Sequence, residues 1–463
     1  MGELLLHGGQ VATQIDGGEL LAEGAVRIDA EGRIAAIGSS AELASPEQLE
    51  AFQGEVVDLG GRVVLPGQIN AHNHLYSALA RGMAPIGPRP ASDFVGVLET
   101  LWWPLDRALD EESVYLSALF GLMESARAGV TTVVDHHASQ GWVRGSLDAV
   151  SRAARDLGLR LSTCFEVTDR DGPSVAAAGL EENLAFAESL SGGPALGGVP
   201  QLAASLGLHA SFTLEDETLE RAAQLLSGSE GLPGVHVHLS EDRADAYDSL
   251  RRSGVRPTER LDGFGLLGPG SLTIHGLWVD AAEAALLAER RCLLITNPSS
   301  NMNNGVGRCD LGRLRAAGVR VGVGTDGMSG DVLSSLALAY FARRDAAGDT
   351  RVGWDDALAL LAGNRAVAEV FWPGAQLGTL RVGGPADLVV LDYLPYTPLD
   401  AENLLGHVLY GELAHRTRDV ICGGRYVLRE GRFPQLDVDL SELSQRAQAA
   451  ARALWDRRQL KST

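Results

Sequence analysis

The chain has 463 residues, 45% of them apolar, which is enough for one large domain with an appendage or for two to three domains. Its formal net charge of −21 would repel phosphate backbones and anionic lipids, so nucleic acids and membranes are poor candidate partners. The sequence shows no uninterrupted apolar run of about 18 residues, no secretory leader pattern and no CxxC among its four cysteines, which indicates a reduced, cytoplasmic protein.

The first 66 residues have the pattern of short β-strands separated by glycine-containing turns. Strands are expected at Leu4–His7, Gly24–Ile28, Arg33–Ile37 and Glu55–Leu59. These segments are short and half apolar, so they need partners from elsewhere in the chain to form a stable sheet.

From residue 67 onward, strand-like runs alternate with helix-like patterns. Eight strands are expected, at Gly67–His72, Thr131–His136, Arg160–Glu166, Leu202–His209, Gly234–Leu239, Ser271–Gly276, Cys292–Asn297 and Arg320–Thr325. Amphipathic helices are expected between them, at Glu111–Ala128, Ser146–Leu157, Leu214–Leu226, Asp242–Ser253, Asp280–Glu289 and Ser329–Arg344. Such alternation predicts an α/β fold with a (β/α)8 TIM-like barrel over residues 67–366, which ends with a helix at Trp354–Ala366.

Strand signals return after the barrel and are punctuated by glycine. They are expected at Leu377–Thr379, Asp387–Leu391, Thr417–Cys422 and Arg425–Arg429. We therefore predict a small composite β-sandwich domain built from residues 1–66 and 367–435, with the barrel inserted between its halves. A charged, alanine-rich stretch at Asp439–Arg457 predicts a helix within a C-terminal segment, residues 436–463.

Histidines collect where the predicted barrel strands end. Of eleven histidines, eight fall at these ends, namely His72, His74, His136, His137, His209, His236, His238 and His275. Active sites of such barrels lie at the carboxyl ends of the strands, so this distribution predicts a metal site there.

His72 and His74 would point to the same face of an extended strand, because they are two residues apart. A catalytic zinc-type ion takes three protein ligands, sometimes more, and keeps a position open for water. One histidine of the fifth strand would add a nitrogen, and Asp326 a carboxylate. His238 is the better candidate than His236, because Glu241 follows it by three residues.

Two further residues fit roles in proton transfer. Glu241 lies just beyond the fifth strand, where it could carry a proton to and from a water activated by the metal. His275, at the end of the sixth strand, could hydrogen-bond that water or the substrate.

Several motifs together resemble the amidohydrolase superfamily, in particular its mononuclear deaminase branch. They are His72-Asn73-His74, His238-Leu239-Ser240-Glu241, His275-Gly276 and Gly324-Thr325-Asp326, with a C-terminal Gly383-Gly384-Pro385-Ala386-Asp387 segment. Longer stretches are similar to the SsnA-type aminohydrolases: Asp135-His136-His137-Ala138-Ser139, Cys164-Phe165-Glu166 with Thr168-Asp169-Arg170, and Ser300-Asn301-Met302-Asn303-Asn304. The resemblance covers nearly the whole chain.

The resemblance implies specific roles for these residues. It makes His72, His74, His238 and Asp326 the metal ligands, Glu241 the acid and base, and His275 and Asp326 its catalytic partners. It also implies one divalent ion, zinc first and iron second, because the only lysine, Lys461, lies outside the barrel and cannot bridge two metals. His209 matches a substrate-contacting histidine, although Ser211 stands where the family usually has proline.

The remaining site residues are weaker predictions. His136 is a candidate for substrate contact, although only one of His136 and His137 would face the pocket comfortably. Trp103 could stack on a flat ring, or it could be a core aromatic residue. Asn301 could contact substrate or cap a loop. Arg89 could meet an anionic substrate group, but a solvated loop position suits it better.

By this resemblance, the reaction would be hydrolytic deamination of a purine- or pterin-like N-heterocycle with release of ammonia. The alternatives are another C–N or C–Cl hydrolysis on the same site, of the triazine chlorohydrolase or imidazolonepropionase type, and a non-catalytic scaffold. A homodimer is the implied assembly.

Overall fold

A computed structural model describes residues 2–87 and 91–460, so Arg89 and Lys461 lie outside the described residues. Its strands are β1 (Leu4–Ala12), β2 (Leu20–Ile28), β3 (Ile34–Ser39), β4 (Glu55–Asp58), β5 (Val63–Pro66), β6 (Gln68–Asn73), β7 (Val130–Asp135), β8 (Arg160–Thr163), β9 (Ala195–Leu196), β10 (Val199–Pro200), β11 (Leu202–Ala204), β12 (Leu206–Ala210), β13 (Val235–Leu239), β14 (Leu272–His275), β15 (Leu293–Thr296), β16 (Arg320–Val323), β17 (Leu388–Leu391), β18 (Thr417–Cys422) and β19 (Arg425–Arg429).

The α-helices are α1 (Ser40–Leu43), α2 (Pro46–Ala51), α3 (Phe94–Val97), α4 (Trp103–Ala108), α5 (Glu111–Arg127), α6 (Ser146–Leu157), α7 (Pro173–Ser189), α8 (Asp216–Gly228), α9 (Arg243–Ser253), α10 (Pro257–Gly263), α11 (Ala281–Glu289), α12 (Pro298–Asn303), α13 (Leu311–Ala316), α14 (Val332–Ala347), α15 (Trp354–Phe371), α16 (Leu404–Tyr410) and α17 (Leu440–Leu460). Short 3-10 turns occupy Leu75–Ala80, Ser211–Thr213 and Leu413–Arg416, and a π-helical turn occupies Leu98–Trp102. Within the described ranges, every helix is too short or too polar to cross a lipid bilayer.

Strands from both ends of the chain pair in one sheet. Its order is β19-β18-β17-β5-β1-β2-β3, with β4 also paired to β1. The two chain ends meet where β17 runs antiparallel to β5, with Val389 opposite Leu65. One face of the sheet packs around a compact apolar cluster that includes Leu6, Val26 and Val390. The described strands of both ends therefore share one sheet, and the two-layer sandwich remains a prediction.

The parallel strands follow one another in chain order, as the alternation of strands and helices predicts. They form a four-stranded sheet, β11-β8-β7-β6, and a five-stranded sheet, β12-β13-β14-β15-β16. The fourth expected strand is divided at Ser205, so β11 pairs with β8 while β12 pairs with β13. At the other edge, an isolated parallel bridge joins Asn73, in β6, to Asp326, just beyond β16. The carboxyl ends of all these strands face the same side.

Three local predictions differ from the structure. Leu377–Thr379 is a turn, because Gln376 and Gly378 have positive φ values of 53° and 78° that break an extended strand. Leu377 is nevertheless buried, as an apolar residue of a strand would be, so its residue type favours a strand. Residues 195–200, for which no strand was predicted, form the β9–β10 hairpin. Helix α7 lies in a stretch for which no helix was predicted.

Helix α17 holds the segment that follows β6. The indole Nε1–H of Trp455 donates to the Leu79 carbonyl at 2.8 Å. The guanidinium of Arg458 donates to the carbonyls of Ala84 and Thr100, both at 2.8 Å. Since Trp102 and Trp103 belong to this same segment, α17 fixes the backbone that carries them.

Arg160 and Asp387 form a buried ion pair between β8 and the residue before β17. Arg160 is fully buried, and its Nη2 lies 3.0 Å from Asp387 Oδ2. Replacing Arg160 with methionine should lower the free energy of unfolding by about 3–5 kcal/mol, because Asp387 would keep a buried charge without its partner. Urea unfolding followed by fluorescence measures this change.

The matched control is Arg27→Met. Arg27 forms a similar pair with Glu3 at 2.9 Å, but both side chains are more than one third exposed. Exposed pairs contribute about 0–1 kcal/mol, so the control should change stability little. An equal loss in both variants would contradict a structural role for the Arg160–Asp387 pair.

Candidate active site

Three histidines and one aspartate converge at the carboxyl ends of β6, β13 and β16. The Nε2 of His74 lies 3.0 Å from Asp326 Oδ1 and 3.1 Å from His238 Nε2. The Nε2 of His72 lies 3.5 Å from the same Asp326 oxygen. The structure thus brings together the four residues predicted as metal ligands, and all four are buried.

Each of these histidines is oriented through its other ring nitrogen. His74 Nδ1 faces the His136 carbonyl at 2.6 Å, and His238 Nδ1 faces the His209 carbonyl at 2.9 Å. A carbonyl can only accept, so both Nδ1 atoms carry a proton and both Nε2 atoms point into the site. His72 Nδ1 lies 2.9 Å from His236 Nε2, which makes His236 the orienting partner of His72.

The donor set fits a divalent cation. The buried His72 Nε2 has no hydrogen-bond partner within the described chain, which is costly unless another group uses its lone pair. Three imidazole nitrogens and one carboxylate oxygen are a ligand set that zinc-type ions accept. Burial lowers the pKa of His72 to about 3, so its ring is neutral and able to coordinate at neutral pH.

Asp326 is held as an anion. Burial alone would raise the pKa of its carboxyl, but the neighbouring rings of His72 and His74, followed by that of His275, outweigh burial and hold that pKa well below the usual range. Its second oxygen, Oδ2, lies 3.8 Å from His275 Nε2. Asp326 can therefore act as both a cation ligand and a proton acceptor.

Glu241 and His275 stand beside this cluster. Glu241 Oε2 lies 3.3 Å from His275 Nε2, and His275 Nδ1 donates to Asn301 Oδ1 at 2.8 Å. Burial, followed by the nearby charge of Asp326, raises the pKa of Glu241 well above its usual range. A raised pKa favours the protonated form of the carboxyl group, which can deliver a proton.

Backbone strain coincides with the site. Ser240, His275 and Asp326 have φ values of 48°, 73° and 56°, a region that non-glycine residues rarely occupy. His275 and Asp326 have predicted catalytic roles, and Ser240 directly precedes Glu241. Such strain persists only when surrounding structure enforces it, and it concentrates at functional sites.

A cavity opens onto the cluster. Its walls include both tryptophans of the segment held by α17, polar groups from the strand ends, and apolar residues. The lining is His74, Tyr76, Phe94, Leu98, Trp102, Trp103, Asp106, Glu166, His209, His238, Glu241, His275, Ser300, Asn303, Asn304, Asp326, Gly327 and Met328. This mixed lining suits a small organic molecule.

Two predicted substrate contacts lie elsewhere. The ring Nε2 of His136 faces the carbonyls of Leu208 and His236 at 3.2 and 3.0 Å, so His136 is tied into the barrel interior and does not line the cavity. Asn301 is also absent from the lining, because its Oδ1 is engaged by His275. Trp103 and His209 do line the cavity, as expected for substrate contacts.

One charged wall of the cavity was given no role by the sequence analysis. Glu166 was noted only as a residue at the end of the third strand, and Arg170 only as part of a motif. Arg170 forms an ion pair with Asp106, and its Nη2 lies 3.6 Å from Glu166 Oε1. Burial would raise the pKa of Glu166, but His209, His136 and Arg170 together hold it well below the usual range.

The partner of His72 provides a direct test of the metal site. Replacing His236 with leucine should weaken cation binding by about 10- to 100-fold, because His72 would lose the group that fixes its ring orientation. Competition with a chromophoric chelator measures the affinity. His137→Leu is the control, since His137 is equally buried but bonds to Ser139 at 2.9 Å. Equal weakening in both variants would point to general damage.

The sequence is similar to those of a known protein family. The Amidohydrolase family model matches residues 63–427. A 5-methylthioadenosine/S-adenosylhomocysteine deaminase from Syntrophobacter fumaroxidans is 31% identical over 456 residues, 98% of each chain.

Solved structures show the same fold. A zinc-bound adenosine deaminase from Xanthomonas campestris gives a TM-score of 0.82 at 24% identity, over 99% of this chain and 98% of that one. A zinc complex of an atrazine chlorohydrolase from Arthrobacter aurescens TC1 gives 0.79 at 22% identity, over 97% of this chain and 100% of that one. These likenesses show an α/β fold of the TIM-barrel type.

Proposed function

Because this chain belongs to the amidohydrolase family, we propose that it is a metal-dependent aminohydrolase that removes an amino group from a purine- or pterin-like N-heterocycle. The chain is a hydrolase acting on carbon–nitrogen bonds, and the named relative is a deaminase of nucleoside-like substrates. The observation that carries the finer proposal is the triangle formed by Glu241, His275 and Asp326 at the floor of the cavity.

The residues of this triangle can divide the proton transfers between them. Asp326 Oδ2 accepts a proton from the attacking water, because the carboxyl is ionised and this oxygen is not the one that faces His72 and His74. The protonated carboxyl of Glu241 donates to the ring nitrogen next to the amine-bearing carbon. His275 donates from Nδ1 to Asn301, so its Nε2 lone pair is available to accept a hydrogen bond from the water. The proton that Asp326 took from the water then passes to the amine, which leaves as ammonia, and the proton on the new oxygen returns to Glu241.

His72, His74, His238 and Asp326 would hold the cation, and we propose zinc, with iron as the alternative. A divalent ion in such a site lowers the pKa of water to about 7. A single ion is supported by the absence of any lysine between residues 1 and 460 that could bridge two.

We further propose that the parallel strands close into a barrel over residues 67–366. The Asn73–Asp326 bridge and the division of the fourth strand at Ser205 support this closure. Residues 1–66 and 367–435 would form the composite sandwich, with residues 436–463 as a separate helix and tail. A homodimer and a cytoplasmic location stay predictions.

An ammonia-release screen tests the proposed activity. Purified protein with measured zinc and iron content is offered aminopurines, adenosine derivatives, aminopterins and aminopyrimidines, with the Glu241→Gln variant as the inactive control. Ammonia released only by the parent protein supports a deaminase. Chloride from chlorotriazines or a ring-opened product would support the rival hydrolases instead, and a cation-free site without turnover would support a scaffold.

A further inference from the structure

The inference concerns the charged wall formed by Glu166, Arg170 and Asp106, and it rests on the proposed deaminase function. Glu166 follows β8, and its side chain is 5% exposed. Its amide donates to the His137 carbonyl at 2.7 Å, which fixes the backbone beyond the strand end. The carboxylate is thus placed by the barrel scaffold and not by a mobile loop.

Glu166 lies close to the reacting centre. Its carboxylate, a ring nitrogen of His209 and a ring nitrogen of His238 all lie within 4.8 Å of one another. His238 is one of the four residues at the centre of the site. If the amine-bearing carbon of a substrate ring lies at that centre, an edge of the same ring therefore lies beside Glu166. A sugar or other substituent at the far end of the substrate would lie further away.

Glu166 and Glu241 lie on opposite flanks of His238. Glu166 comes from the β8 side, next to His209 at the end of β12, whereas Glu241 lies next to His275 at the end of β14. Strand β13, which carries His238, runs between β12 and β14. A flat ring bound over His238 would therefore present two different edges to the two carboxyl groups.

The wall presents the Glu166 carboxyl group to the cavity. Arg170 supplies one positive charge, while Asp106 and Glu166 each carry a carboxyl group, and Arg170 pairs most closely with Asp106. Trp103 packs against the Arg170 guanidinium at 5.2 Å and limits its movement toward the cavity. An ionised carboxylate only accepts hydrogen bonds, so a substrate group that meets Glu166 should be a donor.

Ring chemistry then selects the substrate class. In an adenine ring, the amine-bearing carbon C6 lies between N1 and C5. Both N1 and the nearby N7 only accept hydrogen bonds, so a carboxylate facing either nitrogen would be repelled. In a 2-amino-4-oxopyrimidine ring, as in guanine or a pterin, the amine-bearing carbon lies between a ring N–H donor and a ring nitrogen acceptor. That pattern matches a carboxylate acceptor on one side and a protonated carboxyl on the other.

We propose that Glu166 recognises the lactam N–H next to the amine-bearing carbon, and that the natural substrate carries a 2-amino-4-oxopyrimidine ring. Glu241 serves the acceptor nitrogen on the other side of the same carbon. The site would thus prefer a different ring from the adenosine derivatives that the 31% identical relative is named for.

Binding to a slow variant tests this recognition separately from turnover. Holoenzyme carrying Glu241→Gln is titrated with guanine, 1-methylguanine and adenine, and the titration is repeated with Glu166→Gln added. Guanine should bind about 10- to 100-fold more tightly than 1-methylguanine when Glu166 is present, as for a hydrogen bond to a charged group. The preference should disappear when Glu166 is replaced.

A matched variant controls for loss of a buried carboxylate. Glu182 is also buried, but it accepts from the amides of Gly145 and Leu147, away from the cavity. Glu182→Gln should keep the preference for guanine over 1-methylguanine. An unchanged preference in Glu166→Gln, or tighter binding of adenine than of guanine to the Glu166-containing protein, would overturn the proposal.

The two proposals fail in different ways. If no amine is released from any ring but guanine binding still depends on Glu166, the deaminase proposal falls and the recognition proposal stands. If ammonia is released from adenine derivatives and Glu166→Gln has no effect on their kcat/KM, the recognition proposal falls and the deaminase proposal stands.

Discussion

Replacing Glu241 with glutamine should lower kcat by about 10²- to 10⁴-fold, the range expected for removal of a general acid. Glutamine fills nearly the same space and keeps the contact with Asn304, so the cavity should persist. It cannot deliver the proton that the ring nitrogen needs. Ammonia release under saturating substrate, with metal content measured on the same sample, gives the result.

Glu217→Gln is the matched control for this experiment. Glu217 is exposed on α8 and outside the cavity, so the same chemical change should leave turnover unchanged. Full turnover by the Glu241 variant with its cation bound would show that another group supplies the proton. Loss of cation from that variant would instead assign Glu241 a part in metal binding.

The Asp326→Asn variant should lose more activity than the other variants. Asp326 faces both His72 and His74 with one oxygen and has the other available to accept a proton, so one substitution removes a ligand charge and a base. We expect kcat/KM to fall by about 10³-fold or more, because electrostatic stabilisation of the transition state at a metal site contributes several kcal/mol. Cation content should fall in the same preparation.

Asp310→Asn provides the comparison. Asp310 caps α13 by accepting from the Arg313 amide at 3.0 Å, a role that asparagine fills equally well. This control should retain both cation and activity. An Asp326 variant that binds its cation normally and turns over at the parental rate would remove Asp326 from both proposed roles.

Much of the site could be predicted because its residues sit at fixed points of a repeating pattern. His72, His238 and Asp326 are far apart in sequence, but each stands at the end of a parallel strand, and parallel strands bring such ends to one edge. The spacing of Glu241 after His238 predicted a position just beyond the fifth strand, and in the structure Glu241 lies there, beside His275. These inferences needed only periodicity and the direction of the strands.

Other features depend on contacts that periodicity does not encode. Whether His136 faces the cavity depends on the carbonyls of neighbouring strands, which capture its Nε2 inside the barrel. Asn301 turned out to orient His275, because the start of α12 brings its amide to that ring. The charge on Glu166 is set by Arg170 and two histidines from other elements, and only the assembled fold brings them together.

The contact of α17 with the segment after β6 also affects when that segment can be fixed in place during synthesis of the chain. The ribosome makes Leu440 about 330 residues after Asp110, which at roughly 5–20 residues per second takes some tens of seconds. Throughout that interval, the carbonyls of Leu79, Ala84 and Thr100 lack the donors that later hold them. A nascent chain halted before α17 would carry all the cation-binding strands while its tryptophan wall was still unanchored. We therefore expect a chain halted before α17 to lack the fixed tryptophan wall of the complete chain.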